Sequence, residues 1–312
     1  MNTSYLKKNP EGYLISTQMR KYIVDMLHNA GSGHPGGSLS WVEIGNELFF
    51  MGGMSYNRED PEWEGRDRFV LSKGHGVPTL YAIETMTGWL EEDDLRNLRK
   101  ADMESPKGRS RYIQGHPSAK TPGIEVSTGS LGTGLCIAVG IADGLKTKYG
   151  KKDARKVIVV TGDGEQQAEE LWAAVRDAGN LKLDNLIVYV DHNCLQIDGR
   201  IENVSCIYPL RKKYEAYKWH VVGREIRLNK RRKRSLPDGH NFEWLEKANL
   251  EARKQDKPTV IIANTIKGFG VPFMENNVDW HGKAPNDEQH DEAMRYLGKL
   301  EEECKKLLEG GF

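Results

Sequence analysis

Two polar segments follow two buried strands of the predicted sheet, near the point where each strand ends. Asp163 comes shortly after the apolar run KVIVV (156–160), and Asn193 comes shortly after NLIVYV (185–190). Because the carboxyl ends of adjacent parallel strands meet at one edge of a sheet, we expect the two side chains to lie close together. A carboxylate and an amide oxygen form an oxygen-only donor set, which suits Mg²⁺.

The residues around Asp163 also favour an anionic ligand. Gly164 leaves room for the backbone to approach a phosphate group, and a helix is predicted from about 166 to 178. The N-terminus of such a helix attracts anions. The residues alone therefore predict a Mg²⁺–diphosphate site. For GDG taken by itself, the alternative is an ordinary strand-to-helix turn capped by the aspartate.

The rest of the chain supplies the elements that would hold this site. Short apolar runs alternate with segments of helical periodicity, which indicates an α/β fold with a mostly parallel sheet and helices on both faces. Besides the two strands above, strands are predicted at 68–72, 220–222 and 259–265. Helices are predicted at 14–30, from Ser38 or Ser40, after residue 76, at 135–146 and from Asp287 onward.

The composition limits the kinds of partner. Of 312 residues, 45 are Lys or Arg and 45 are Asp or Glu, so no net charge would draw the chain to nucleic acid or to a membrane. The N-terminal residues lack the apolar stretch of a signal peptide, and no apolar run approaches the roughly 18 residues that span a bilayer. The four cysteines form no CxxC pair. We therefore expect a cytoplasmic protein that binds neither nucleic acid nor membrane.

Seven motifs occur in the order in which the transketolase family carries them, from about residue 14 to 290. They are GSGHPGG (31–37), LSKGHG (71–76), QGHP (114–117), STGSLGTG (127–134), GDGE (162–165), NCLQIDG (193–199) and VDWHGKAPN (278–286). The chain thus resembles the diphosphate-binding domain of that family. The resemblance implies that residues 1–286 form this domain and that 287–312 form a C-terminal helical tail.

The resemblance implies two cofactors, thiamine diphosphate and Mg²⁺. The metal ligands would be Asp163, Asn193 and the backbone carbonyl of Leu195. The residues that would contact thiamine diphosphate are His75, Gly129, Leu131, Gly164, Asn193, Ile197 and His281.

The resemblance also implies a reaction and the residues that serve it. The family cleaves the C2–C3 bond of a ketose phosphate and passes the two-carbon ketol unit to an aldose phosphate. His34, His75 and His116 would face the substrate. Imidazole suits proton transfer to and from sugar hydroxyls, because its ordinary pKa lies near 6.5. Apart from His281, the remaining histidines match no motif and are interpreted as ordinary surface or core residues.

The family's catalytic cycle needs a glutamate from a separate pyrimidine-binding domain. After Pro285 this sequence has room for about one helix and for no second α/β domain. We therefore expect a split enzyme, in which a C-terminal transketolase subunit carries the pyrimidine-binding domain. The resemblance implies two copies of each chain, with the cofactor at their interface. An engineered or truncated fragment is the alternative.

Two departures from the family pattern stand out. Ala168 occupies the position of a family glutamate that belongs to a carboxylate network across the dimer. On a continuous helix Glu169 would point about 100° away and would not replace it. The second departure is a basic segment with seven Lys or Arg residues between 224 and 234. It is interpreted as a solvated loop, with a partner contact or an anion site for a phosphorylated or sulfonated substrate as alternatives.

Three other functions stay open at this point. One is a 1-deoxyxylulose-5-phosphate synthase, against which the motifs QGHP, GSGHPGG and VDWHGKAPN argue. Another is a ketol transferase for an unusual, modified or sulfonated sugar, which the basic segment and the stretch 101–113 permit. The third is a non-catalytic cofactor-binding subunit, which Ala168 permits and the four motif histidines oppose.

Overall fold

A computed structural model describes residues 3–100, 113–150, 153–226 and 238–310. Residues 101–112 and residues 227–234 of the basic segment lie outside this part of the chain. The interpretations of those two stretches therefore stay predictions.

The strands are short, and β2, β3 and β7 are almost wholly buried. Their bounds are Arg68–Leu71 (β1), Val157–Gly162 (β2), Leu186–His192 (β3), Leu195–Gln196 (β4), Gly199–Arg200 (β5), His220–Gly223 (β6) and Thr259–Asn264 (β7). Five of them form a sheet in the order β1–β2–β3–β7–β6, and every pairing in it is parallel. Strands β4 and β5 form a separate antiparallel pair. The predicted α/β fold with a mostly parallel sheet is confirmed.

Helices connect the strands and cover the sheet. Their bounds are Thr3–Leu6 (α1), Pro10–Ala30 (α2), Pro35–Leu39 (α3), Val42–Phe50 (α4), Val77–Thr87 (α5), Thr133–Tyr149 (α6), Glu169–Leu181 (α7), Ile201–Val204 (α8), Leu210–Ala216 (α9), Phe242–Arg253 (α10) and Asp287–Glu309 (α11). Local signals set the ends of α2: Asn9 caps its start by accepting a hydrogen bond from Gly12 N at 2.8 Å, and Gly31 ends it with φ 62°.

The sheet separates two apolar layers because side chains alternate between its faces. Ile158 and Tyr189 belong to the layer that α2, α4, α5, α10 and α11 cover. Val159 and Val188 belong to the opposite layer, which α6, α7 and α9 cover. Both faces are therefore buried, which explains why β2 and β3 read as continuous apolar runs and not as alternating ones.

Two predicted helices differ from the observed ones. The helix expected from Ser38 or Ser40 is divided into α3 and α4. The helix expected over 166–178 is a short 3₁₀ turn, Gly164–Gln167, followed by α7. Between these two elements Ala168 has an extended backbone with ψ 127°. The reason is local: the N–H groups of Gln166 and Ala168 bond to the carbonyls three residues before them, as in a 3₁₀ turn and not as in an α-helix.

The C-terminal helix α11 packs along α2. Its buried residues Ala293, Leu297, Leu300 and Cys304 belong to the same apolar layer as α2. The division of the chain at residue 286 stays a prediction. Among the described helices, none is long and apolar enough to cross a membrane.

Two helical glycines allow a matched test of this packing. A Cβ at Gly179 in α7 would lie 1.9 Å from the Tyr217 carbonyl oxygen, whereas a Cβ at Gly140 in α6 would meet no atom within 4 Å. We expect Gly179→Ala to lower the free energy of unfolding by about 1–3 kcal/mol through overpacking. Gly140→Ala should raise it by about 0.5–1 kcal/mol through its better helix propensity. Urea unfolding of both variants measures this, and an equal effect of the two would contradict the described contact.

Candidate functional site

The segments that follow β1, β2, β3 and β7 open onto one cavity of about 350 Å³. All the site residues predicted from the sequence line it. They are His34, His75, His116, Gly129, Leu131, Asp163, Gly164, Asn193, Leu195, Ile197 and His281. Residues that are far apart in the chain thus converge at the carboxyl edge of the parallel sheet, where open α/β folds bind ligands.

The oxygen donors lie at the floor of the cavity. Strands β2 and β3 are neighbours in the sheet, so the Asp163 backbone N–H reaches the Asp191 carbonyl at 3.3 Å. The Asp163 carboxylate accepts hydrogen bonds from the backbone N–H groups of Gly164 and Cys194. Asn193 Oδ1 accepts from Leu195 N at 3.1 Å, which orients the amide oxygen. Burial and the nearby Asp191 carboxylate raise the pKa of Asp163.

Two buried lysines place positive charge in the cavity wall. Lys73 and Lys267 are each only 1 % exposed. Lys73 Nζ donates to the Gly37 carbonyl at 2.7 Å and pairs with Asp191. Lys267 Nζ lies 2.8 Å from His281 Nδ1 and 3.4 Å from the Leu195 carbonyl. Burial lowers the pKa of Lys267, the Asp163 carboxylate opposes that shift, and the Lys73 charge adds to it.

The four motif histidines form one cluster. The ring centroid of His34 lies 5.4 Å from that of His75, 6.4 Å from that of His116 and 5.6 Å from that of His281. The rings of His75 and His281 are stacked at 5.5 Å. His34 is the residue before α3, and His75 lies in the 3₁₀ turn that follows β1. The cluster therefore depends on the mutual position of four separate loops.

The histidines are held in their neutral form. Burial, with the Arg99 charge next, lowers the pKa of His34 to about 4. Burial and the Lys267 charge lower the pKa of His281 to about 3. The pKa values of His75 and His116 are lowered as well, in both cases chiefly by burial. Neutral imidazoles can each donate one hydrogen bond and accept another near pH 7.

Sequence reasoning missed four charged residues at the site. Lys73 and Glu165 stand inside two of the seven motifs, and Lys267 stands in TIKGFG after β7, but the motifs alone predicted no role for them. Glu165 accepts hydrogen bonds from Ser72 Oγ, from Gly132 N at 2.8 Å and from Gly162 N at 2.9 Å, so it ties three loops together.

Arg99 is the fourth of these residues and lies near the cavity mouth. Its Nη2 is 3.4 Å from His34 Nδ1, and its side chain is exposed. Arg99 stands in none of the seven motifs, so the sequence gave no signal for it. Its guanidinium provides a positive charge beside the histidine cluster.

The surroundings of Ala168 correct one sequence argument. Because Ala168 precedes α7 in extended conformation, the angular argument about Glu169 on a continuous helix is wrong. A Cβ at Gly132 would lie 2.8 Å from the Ala168 Cβ, so this side chain packs against the loop that carries Gly129 and Leu131. Glu169 and Glu170 are both exposed in the first turn of α7.

The donor set fits a hard divalent cation and a diphosphate. Asp163, Asn193 and the Leu195 carbonyl offer oxygen atoms to one cavity, as Mg²⁺ requires. Lys73 and Lys267 supply charge that would balance phosphate oxygens, and the neutral histidines can donate to them. Leu131 and Ile197 are 39 % and 64 % exposed at the cavity rim, where they offer apolar contact to an organic group.

Comparisons with known proteins agree with this chemistry. A family model described as "Transketolase, thiamine diphosphate binding domain" matches residues 13–304. The chain is similar to the transketolase of Campylobacter jejuni, with a TM-score of 0.75 and 28 % identity over 99 % of this chain and 49 % of that one. It is 38 % identical to the transketolase of Homo sapiens over 295 residues, which are 94 % of this chain and 43 % of that protein.

Shorter relatives match along nearly their whole length. An apulose-4-phosphate transketolase subunit of Actinobacillus succinogenes is 37 % identical over 283 residues, which are 89 % of this chain and 92 % of that subunit. The 6-deoxy-6-sulfo-D-fructose transketolase subunit SqwG of Clostridium sp. (strain MSTE9) is 34 % identical over 282 residues, with 90 % and 94 % covered. In contrast, the chain spans 43 % of the length of the longer curated relatives that it matches.

The depressed histidine pKa values can be tested directly. In an NMR pH titration, the ring protons of His34 and His281 should keep their neutral shifts from pH 7 down to about 5, with assignments from His34→Gln and His281→Gln. Since the unfolded chain takes up these protons near pH 6.5, the stability that the neutral rings provide is complete above that pH. It is lost as the pH falls from about 6.5 to about 4 for His34 and to about 3 for His281. A His34 midpoint above pH 6 would contradict the described burial.

Proposed function

The chain belongs to the family of the transketolase thiamine diphosphate binding domain, and from this premise we propose that it is the diphosphate-binding subunit of a two-chain transketolase. The proposed reaction moves a two-carbon ketol unit from a ketose phosphate to an aldose phosphate. The observation that carries the proposal is the convergence of an oxygen donor set, two buried lysines and four neutral histidines in one cavity.

The cofactor roles follow from this arrangement. Bound thiamine diphosphate supplies the carbon nucleophile and the electron sink that cleavage of a carbon–carbon bond next to a carbonyl needs. In our proposal Asp163, Asn193 and the Leu195 carbonyl hold Mg²⁺. Gly164, with the rings of His75 and His281, faces the diphosphate.

The remaining cofactor contacts are apolar or backbone contacts. We assign Gly129 and Leu131 to the pyrimidine side of the cofactor and Ile197 to the thiazolium side. The exposed side chains of Leu131 and Ile197 would become covered when cofactor and partner bind, which would exclude water from the reacting atoms.

The substrate roles fall to the histidines nearest the cavity mouth. His34 and His116, with His75 behind them, would accept and return protons of the sugar hydroxyls. Their neutral state makes each ring able to accept a proton at one nitrogen while the other donates a hydrogen bond. The Arg99 charge next to His34 and His116 disfavours permanent protonation of either ring.

A second, different chain is part of the proposal. The relatives named as subunits match this chain over more than nine-tenths of their own length, whereas the longer transketolases are matched over less than half. We propose a C-terminal transketolase subunit as the partner, in an assembly with two copies of each chain, and we place the assembly in the cytoplasm.

The experiment that tests the function starts from the assembly. Tagged chain is recovered from its host's lysate with Mg²⁺ and thiamine diphosphate present, and the native mass and the ketol transfer activity are measured. We expect a second chain and a mass that corresponds to two of each. Recovery of the chain alone would remove the partner from the proposal, and an intact two-chain assembly that binds cofactor without turnover would favour a non-catalytic subunit.

Two variants of this assembly separate the proposed roles. His116→Ala should lower turnover by about 10²–10⁴-fold, the usual contribution of a general acid–base, and should leave cofactor affinity nearly unchanged. Asp163→Asn should instead weaken Mg²⁺-dependent cofactor binding, which intrinsic fluorescence can follow. Asp143→Asn on the exposed face of α6 is the control. An equal loss of turnover and affinity in His116→Ala would remove its role in proton transfer.

One observation bears on how the anionic group of the sugar is held in the same reaction. The exposed guanidinium of Arg99 lies beside His34 at the cavity mouth, where a phosphate or sulfonate group of a sugar could reach it. The names of the two subunit relatives mention a sulfonated fructose and a sugar phosphate.

The Arg99 contact predicts a selective effect on substrate binding. Arg99→Gln should raise the KM for a phosphorylated or sulfonated acceptor about 10-fold or more, because a hydrogen bond to a charged group contributes about 1.5–3 kcal/mol. The KM for glycolaldehyde, which carries no anionic group, should not change. Arg96→Gln, an exposed arginine of the same segment, is the control. If both KM values rise equally, Arg99 does not recognise the anion.

A further inference from the structure

One histidine outside the cavity belongs to a wholly buried chain of hydrogen bonds. His240 ends the 3₁₀ turn before α10 and does not line the cavity. Its ring lies between Glu43 of α4 and the backbone of Ile266, which follows β7. Arg20 of α2 pairs with Glu43. The side chains of Arg20, Glu43 and His240 have no exposed surface. Elements that are far apart in the chain are thus joined through this ring.

The hydrogen bonds of His240 determine where its proton lies. The backbone N–H of Ile266 can only donate, and its nitrogen lies 2.8 Å from His240 Nε2. Nε2 must therefore accept, so the ring is neutral and its proton is on Nδ1. Nδ1 lies 2.8 Å from Glu43 Oε2 and donates to it. A protonated ring would have a hydrogen on both nitrogens and could not accept the bond from Ile266.

The carboxylate behind the ring is itself held in place. Arg20 Nη2 donates to Glu43 Oε1 at 2.6 Å, and Arg20 Nε donates to the Phe269 carbonyl at 2.9 Å. Burial would raise the pKa of Glu43, but the Arg20 charge and the His240 hydrogen bond outweigh burial and lower it. The His240 ring also stacks on the Phe269 ring, with the centroids 3.7 Å apart. The ring therefore has little freedom to turn, and Nε2 stays directed at Ile266.

The residue that His240 holds directly precedes Lys267, whose side chain lines the cavity. On the other side of this lysine, the Gly268 N–H donates to the Gly36 carbonyl at 3.0 Å. The backbone is thus fixed before and after Lys267. Because a displacement of about 1 Å at a binding residue is enough to impair a site, the position of this charge depends on both contacts.

The alternative is that His240 is the ordinary core residue expected from the sequence. In that case its loss would lower the stability of the fold, as the loss of any buried hydrogen bond does. The affinity of the folded chain for an anion would not change. Stability and anion affinity measured on the same variants therefore separate the two roles.

We propose that His240 is a positioning residue of the anion site: with Glu43 behind it, its ring fixes Ile266 and thereby the charge of Lys267. The inference rests on the proposed function, in which Lys267 balances the phosphate oxygens of a diphosphate. His240 acts through the backbone and touches neither the ligand nor the reacting atoms.

Nuclear magnetic resonance tests the central hydrogen bond in the unchanged chain. In the isotope-labelled full chain, we expect a scalar coupling between the backbone nitrogen of Ile266 and His240 Nε2. Such a coupling is transmitted only when a hydrogen bond joins the two nitrogens. Its absence overturns the proposal, and this readout needs no variant that could misfold.

Two amide variants separate the two hydrogen bonds of the ring. An asparagine amide reaches the position of Nδ1, whereas a glutamine amide reaches that of Nε2. His240→Asn should therefore keep a donor for Glu43 and lose the acceptor for Ile266, while His240→Gln should keep that acceptor. Inorganic pyrophosphate, titrated calorimetrically into the full chain with Mg²⁺, is the probe. We expect its Kd to rise at least about tenfold in His240→Asn, the usual effect of losing the support behind a ligand, and to stay close to that of the wild type in His240→Gln.

A double variant and a control test whether the effect passes through Lys267. Lys267→Met should weaken pyrophosphate binding, and His240→Asn should cause no further loss in that background. The control is Asn185→Ala at the opposite end of β3, where the buried Asn185 amide donates to the Ala142 carbonyl at 2.8 Å. It should lower the midpoint of urea unfolding and leave pyrophosphate affinity unchanged.

The outcomes distinguish this inference from the proposed function. If His240→Asn lowers only the stability, as the control does, or if it weakens binding equally with and without Lys267, His240 does not position that lysine and the inference alone is overturned. If the wild-type chain binds no pyrophosphate, or if Lys267→Met binds it unchanged, the diphosphate role in the proposed function fails and the inference fails with it.

Discussion

The carboxylate of Asp191 is the anchor on which the rest of the site depends. It lies at the end of the central strand, is wholly buried, and takes hydrogen bonds from Ser40, Lys73 and Thr265. Burial alone would raise its pKa, but the Lys73 charge and these hydrogen bonds outweigh burial and lower it. Removal of either Asp191 or Lys73 would leave the other charge buried and unpaired, at a cost of about 3–5 kcal/mol. The loops that carry the histidines are held in place through this group, since Lys73 also binds the Gly37 carbonyl.

The charges and the burial around Asp191 determine which ionisable groups of the site are charged and which are neutral. Asp191 stays ionised because Lys73 pairs with it. Asp163 is harder to ionise, because burial and the neighbouring Asp191 carboxylate raise its pKa by more than its backbone hydrogen bonds and the Lys267 charge lower it. The same burial keeps the motif histidines neutral next to Lys267. A divalent cation and an anionic ligand would match this pattern, because the cation favours the ionised Asp163 and the lysines favour phosphate.

The Asp163 carboxylate has different neighbours on its two sides. Towards the cavity it faces hard oxygen donors, and behind them it faces His192 and Cys194. Adjacent residues of an extended segment point in opposite directions, and Asn193 lines the cavity whereas its two neighbours do not.

The local sequence determined the strands, the residues at their ends and the histidines of the site. Apolar β-branched runs specified the parallel strands, and the residues that follow them, Asp163 and Asn193, were placed correctly because strand ends share one edge. Motifs identified the four histidines of the cluster. Only the tertiary structure showed the partners of Lys73, which meets Asp191 across 118 residues, and the contact of Arg99 with His34 across 65. It also placed Ala168 before its helix. The reason is physical: strand and turn formation depend on neighbouring residues, whereas the partner and the pKa of a buried charge depend on which distant loops pack around it.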